Sequence, residues 1–187
     1  MGRTRPREEN KVFLATTALT DFWDTTEEML FLGPWCLRYN QRQAWGRLTH
    51  RVMPNPWDDR TRFADAIAYL DAYGERLLSD LTDYLNAVHH VSHGTRYWRI
   101  LIGPWLLHYL HGAYDRYIHL TRALTACPGL RTIVLDPSSF RVPTDITAFS
   151  AMSSDDPYNL QIFSQQLRGL GYTFPAKTWD GRWKDTW

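Results

Sequence analysis

Apolar positions along the chain follow two rhythms. Val12 to Leu14, leading into Ala15, Thr16 and Thr17, and Met29 to Leu32, closed by Gly33 and Pro34, are short apolar runs bounded by turn residues. Such runs predict buried strands. Leu48 to Met53 alternates weakly and stops at Pro54-Asn55-Pro56, which predicts a third. The rhythm then changes: Phe63, Ile67, Leu70, Leu77, Leu81, Tyr84 and Val88 recur at three- and four-residue steps, predicting a long amphipathic helix from about Asp59 to Val88, with Asp58 or Asp59 as its cap. From Thr95 to Thr125 the pattern is helical and apolar on nearly every side, with Gly103-Pro104 expected to kink or break it. The two helices are expected to pair and cover the sheet, burying Trp98, Trp105 and Leu106. Thr132 to Leu135 is the clearest strand, and Asp156 to Leu170 reads as a last helix ended by Gly171. Strands alternating with helices predict an α/β layer architecture with a mainly parallel sheet.

With 187 residues, one domain is expected at 12–174, after a polar leader at 1–11 and before an irregular Trp-rich tail at 175–187. The composition, 44% hydrophobic and 22% charged, is that of a folding chain. The net charge of +1 gives no general attraction to nucleic acid or anionic lipid. Aromatic residues reach 14%, enough for some rings to line a binding surface. Cys36 and Cys127 have no metal-type spacing and are expected to be free thiols in a reducing compartment. The charged leader reads neither as a signal peptide nor as a membrane anchor, so the cytoplasm is the expected location, with peripheral membrane association left open.

Phosphate-loop, dinucleotide, GxSxG and HExxH patterns are absent from the sequence. His108, His111 and Asp115 share a helical face, but three positions of that type make an incomplete ligand set, and no metal is expected. His93, Arg96 and Arg99 fall where the second long helix begins; the exposed N–H groups of a helix start and two guanidiniums suit an anion. The alternative is that these side chains are struts paired with Asp58, Asp59 or a backbone carbonyl. Thr16 and Thr17 follow the first strand, where α/β sheets bind ligands, unless that loop simply buries its hydroxyls.

Four strings carry a family resemblance: FLATTALTDFWD (Phe13 to Asp24), LFLGPWC (Leu30 to Cys36), PWDDR (Pro56 to Arg60) and HGTRYWRILIGPWLL (His93 to Leu107). Over roughly residues 12–170 the chain resembles the N-terminal part of a bacterial family of transferases from surface-carbohydrate and O-antigen biosynthesis loci. The resemblance implies a Rossmann-like three-layer domain, like the N-terminal half of a GT-B glycosyltransferase. That is the acceptor side, with a nucleotide-sugar donor held by a C-terminal domain lying beyond this sequence. It further implies a carbohydrate acceptor, no cofactor and no catalytic metal. His93 is implied as general base, and Thr16, Thr17, Arg96, Trp98 and Arg99 as substrate contacts. A carbohydrate- or partner-binding module without chemistry is the alternative, and an unrelated enzyme built on the same fold is a third reading.

Overall fold

The computed structural model describes residues 12–183, so the leader at 1–11 and the last residues of the tail lie outside the described residues. In chain order the elements are β1 (Val12–Ala15), β2 (Glu28–Phe31), α1 (Arg42–Trp45), β3 (His50–Val52), α2 (Arg60–His89), α3 (Thr95–Ala126), β4 (Val134–Leu135), α4 (Ile146–Ser153), α5 (Asp156–Gly169) and β5 (Ala176–Lys177). The architecture is α/β. Two compact units result: Met1–Pro54 with His119–Trp187, and Asn55–Ile118.

In the first unit β1, β2 and β3 form a parallel sheet in the order β1-β2-β3, with Ala15 opposite Phe31 and Phe31 opposite Val52. β4 and β5 form a second, two-stranded parallel sheet. A parallel bridge between Phe13 and Arg131 lays the segment entering β4 along the other edge of β1: Leu14 N–H donates to the Arg131 carbonyl at 2.7 Å and Arg131 N–H to the Val12 carbonyl at 2.9 Å. Across that bridge the order is β3-β2-β1-β4-β5. Side chains of a strand alternate between the two faces of its sheet, so the apolar runs of β1 and β2 supply two cores. Leu14, Leu30 and Leu32 pack with Leu120 and Ala123 of α3 and with Phe163 and Leu167 of α5. Phe13, Ala15, Met29 and Phe31 pack with Trp23 and Cys36, flanked by Leu37, Trp45 and Leu48. That second face is covered by irregular segments and short turns, where a three-layer reading expects helices.

The second unit holds α2 and most of α3. Asp59 caps α2, accepting from Thr61 and Arg62 N–H at 3.0 and 3.1 Å. The buried row of α2 is Ala66, Leu70, Leu78 and Thr82, which advances in fours and eights, and its two leucines pack with Trp98, Leu106 and Leu110 of α3. Rows of i±4 residues are the commonest helix-packing ridges. Small residues at 66, 74 and 82 let the helices approach, which is why the expected stripe is displaced: Phe63, Tyr84 and Val88 are exposed. The apolar stripe of α2 is thus spent on α3, and the helix surface on the sheet comes from α5 and the last turns of α3. Trp98 and Leu106 are buried as expected, while Trp105 is only partly so and stacks on Tyr109. Pro104 does not break α3, which runs unbroken through it. The lost N–H would have served the Ile100 carbonyl, on a turn whose Ile100 side chain is 70% exposed, so solvent can replace it.

Three elements were not anticipated by the pattern: the single-turn α1, α4 and β5. The short α4 is fixed by its Asp145 cap, which accepts from Ala148 N–H at 2.8 Å. β5 forms inside the tail expected to be irregular, because Val134 N–H and Asp136 N–H donate to the carbonyls of Pro175 and Lys177. β4 itself is two residues long; Thr132 is turned inward instead, donating from its hydroxyl to the Leu14 carbonyl at 2.8 Å.

Candidate functional site

Where β1 ends, three successive carbonyls are each claimed by a side chain. Ala15 accepts from the Cys36 thiol at 3.4 Å, Thr16 from Trp35 Nε1 at 3.0 Å and Thr17 from Trp23 Nε1 at 2.9 Å. The Thr16 and Thr17 side chains are buried, so these residues shape the loop from within. Trp35 emerges as the ring held by this arrangement. Its edge-to-face partner is His119, with ring centroids 4.9 Å apart and planes at 80°, and His119 is itself buried. Gly33 supplies the floor: a Cβ built there would lie 2.1 Å from the Trp35 ring. The indole remains 37% exposed. Three residues on, Arg38 pairs with Asp156 at 2.6 Å, and the same carboxylate accepts a long 3.4 Å bond from Ala18 N–H, tying the loops after β1 and β2 to the first residue of α5. A fixed, part-exposed indole, on a loop that also carries a guanidinium three residues on, is chemistry suited to an aromatic-stacked, hydroxyl- or phosphate-bearing ligand. Burial pushes the Cys36 thiol beneath this loop up to about 12, so it is not a nucleophile here.

The loops after β4 and β5 lie at the same end of their strands. Asp136 accepts from Ser138 N–H and Oγ at 2.9 and 2.6 Å, and those bonds hold its carboxyl below the usual carboxylate range. Lys177 donates to the Asp21 carbonyl at 2.9 Å.

In the second unit, the expected cluster at the start of α3 is arranged around Asn86 and Glu75 of α2. Asn86 Oδ1 accepts from His93 N–H at 3.0 Å and from Trp98 Nε1 at 2.9 Å, while its Nδ2 donates to the His93 carbonyl at 2.8 Å. The exposed His93 ring stacks on Tyr97 at 3.9 Å. Trp98 is 6% exposed and belongs to the helix seam. Arg99 forms a bidentate pair with Glu75, both bonds 2.6 Å, which raises the guanidinium and lowers the carboxyl. Arg99 is therefore a strut, but its partner is Glu75 and not the acids of the 58–59 turn. Arg96 is exposed. Asp115 accepts from Trp57 Nε1 at 2.6 Å, and among the described residues no group of three His, Cys, Asp or Glu is placed to hold a metal. Thr16 and Thr17 thus stand in one unit and His93, Arg96, Trp98 and Arg99 in the other.

A family model described as LIC12162 family transferase matches residues 12–186. The chain belongs to that family. No curated protein and no solved structure matches it. Among the described residues no helix is long and apolar enough to cross a membrane.

For a transferase of this family the unanticipated residues are Trp35, Arg38, His119 and Asp156. The rule that singled out Thr16 at the end of the first strand, applied to the second, leads directly to Gly33-Pro34-Trp35 and on to Arg38. His119 and Asp156 carry no such signal, since only folding brings them to that edge.

Proposed function

We propose that this chain is the acceptor-side part of a GT-B-type glycosyl- or related transferase of surface-polysaccharide synthesis, and that Trp35 and Arg38 hold the acceptor sugar. The family supports transfer chemistry. The strand order read across the Phe13–Arg131 bridge supports a Rossmann-like half, because in doubly wound sheets of this order ligands bind beyond the carboxyl ends of the strands where the order reverses, here β1 and β4. The observation that carries the reading is the Trp35 indole, locked by Gly33, the Thr16 carbonyl and His119 and still exposed at that edge. Apolar faces of sugars stack on such rings. Arg38, steadied by Asp156, then meets hydroxyl or phosphate oxygens.

In the transfer, an acceptor hydroxyl oxygen bonds to the anomeric carbon of a nucleotide-activated sugar, the bond to the nucleotide phosphate breaks and the hydroxyl proton passes to a base. His93 and Arg96, the base and phosphate contact that the resemblance implies, are both exposed in the second unit, where Asn86 holds the His93 backbone; the Trp35 site is proposed for acceptor binding without them. No cofactor or catalytic metal is required.

The test is calorimetric titration of the chain with a panel of sugars, sugar phosphates and nucleotide sugars. At least one sugar should bind, with Trp35→Ala weakening it by about tenfold and Trp35→Phe by less. A Trp35→Ala protein that binds every member of the panel as the wild type does would remove the site from the reaction.

A further inference from the structure

Beside the helix seam of the second unit, aromatic rings form a row. Tyr69 and Tyr73, one turn apart on α2, are near-parallel, with planes at 13° and centroids 5.9 Å apart. Tyr114 of α3 continues the row, its centroid 5.7 Å from that of Tyr69 and the planes at 36°, and Tyr117 follows Tyr114 at 6.5 Å and 29°. Trp57, from the turn before α2, meets Tyr114 at 6.4 Å and 31°, and its Nε1 donates to Asp115 at 2.6 Å. The helix backbones and that bond hold the rings in place. They touch one another yet stay in water: Tyr69 is 50% exposed, and Tyr73 and Tyr117 are exposed as well. Single exposed rings need no explanation, whereas a contiguous exposed row marks an interaction surface.

Tyr69 and Tyr114 also line a cleft of about 520 Å³, a volume within the range of ligand sites, together with Asp59, Thr61, Arg62 and Asp65. Asp59 is occupied with the cap of α2. Among the described residues no hydrogen bond or ion pair engages the Asp65 carboxylate or the Arg62 guanidinium. The cleft therefore offers ring faces, a free acceptor and free donors together. A sugar matches all of these, because its C–H face stacks on an aromatic ring and each hydroxyl both donates and accepts. Single-stranded nucleic acid also stacks on rows of rings, but it needs a cationic groove along its phosphates. Here two carboxylates stand against one guanidinium, which favours an uncharged ligand over an anion. At the far end of the row the Arg76 guanidinium lies over the Tyr73 ring at 5.8 Å, so that face is already covered and the open faces are those towards the cleft.

We propose that this row and its cleft bind a neutral oligosaccharide, one sugar on Tyr69 and Tyr114 with its hydroxyls on Asp65 and Arg62, and further sugars along the rings. The surface is separate from the acceptor site at Trp35, which lies in the other unit. The experiment is calorimetric titration of the whole chain carrying Trp35→Ala with maltohexaose, cellohexaose and chitohexaose, compared with glucose, N-acetylglucosamine and a single-stranded thymidylate hexamer. At least one hexaose should saturate, and its monosaccharide should bind at least about tenfold more weakly, since it covers only part of the row. Adding Tyr69→Ala should weaken that hexaose by about tenfold and Tyr69→Phe by much less, while Asp65→Asn should weaken it several-fold. Both positions are exposed, so these variants keep the fold, which thermal melts verify. Because Trp35 is absent throughout, failure of the acceptor reading leaves these results unchanged. Binding by none of the hexaoses, undiminished affinity in both Tyr69→Ala and Asp65→Asn, or tighter binding of the thymidylate strand than of every hexaose overturns the proposal.

Discussion

Gly33 lies directly beneath the Trp35 ring: a single added carbon on its α position would stand 2.1 Å from the indole, inside any permitted contact. The Gly33 backbone is extended, a conformation any residue adopts, so the requirement for glycine comes from the approaching ring alone. The indole cannot yield easily, being held by the Thr16 carbonyl and by the edge of His119.

Gly33→Ala should therefore act as a remote version of Trp35→Ala. Displacing the ring costs about 1–3 kcal/mol of stability, the range for overpacking. Sugar binding at Trp35 should fall together with it. Thermal melts and calorimetry on the same preparation check both, and an unshifted melt with full binding would show the ring free to move aside.

The two tryptophans of the helix seam should differ in cost. Trp98, buried and bonded to Asn86, should lose about 3–5 kcal/mol on truncation to Ala, and Trp105, only partly buried, less than about 2 kcal/mol. Urea denaturation of the two variants measures the order, and equal losses would contradict the seam as drawn.

Replacing Arg96 and Arg99 together by Ala should leave the melting temperature nearly unchanged. The carboxylate left behind, Glu75, is exposed and returns to water without penalty. The Glu75 carboxyl also returns from its lowered pKa to the ordinary carboxylate range, which a carbon-detected NMR titration reads directly. A large drop in melting temperature would mean that Arg96 holds something the folded core needs.

Cys36 and Cys127 are both free thiols, one buried and one partly exposed. At pH 8 iodoacetamide should label Cys127 in the native protein and Cys36 only after denaturation, since the reactive species is the thiolate and the Cys36 pKa is about 12. The same shift gives a stability trend. The unfolded thiol ionises near the ordinary value of 9.0 and the folded one not until about 12. The stabilisation is therefore complete below pH 9 and is lost as pH rises from there towards 12. Mass spectrometry of the labelled peptides and melts from pH 8 to 11 test the pair; native labelling of Cys36 as fast as Cys127 would refute both.

The sequence by itself determined the elements whose signal is local. Apolar runs ended by turn residues announce β1 and β2, the change to helical periodicity announces α2 and α3, and an aspartate one residue before Arg60 announces the cap. The strands are parallel as expected, but β1, β2 and β3 are joined by irregular segments and a single-turn helix, not by the long helices from which parallel pairing was argued. Thr16 and Thr17 follow β1, as the sequence order requires, and are buried residues whose carbonyls anchor Trp35 and Trp23. Tertiary structure alone decided what depends on partners distant in the chain. The bridge from Phe13 to Arg131 sets the strand order, yet hydrogen bonds between backbones leave no mark in side-chain patterns. β5 exists only because Val134 and Asp136 donate to the tail. The seam of α2 runs along Ala66, Leu70, Leu78 and Thr82 because small residues let α3 approach, and the three-four periodicity cannot tell which of two neighbouring rows a second helix will choose. The pairing of Arg99 with Glu75 and of Arg38 with Asp156 joins residues 24 and 118 positions apart, a distance over which charge pattern carries no information.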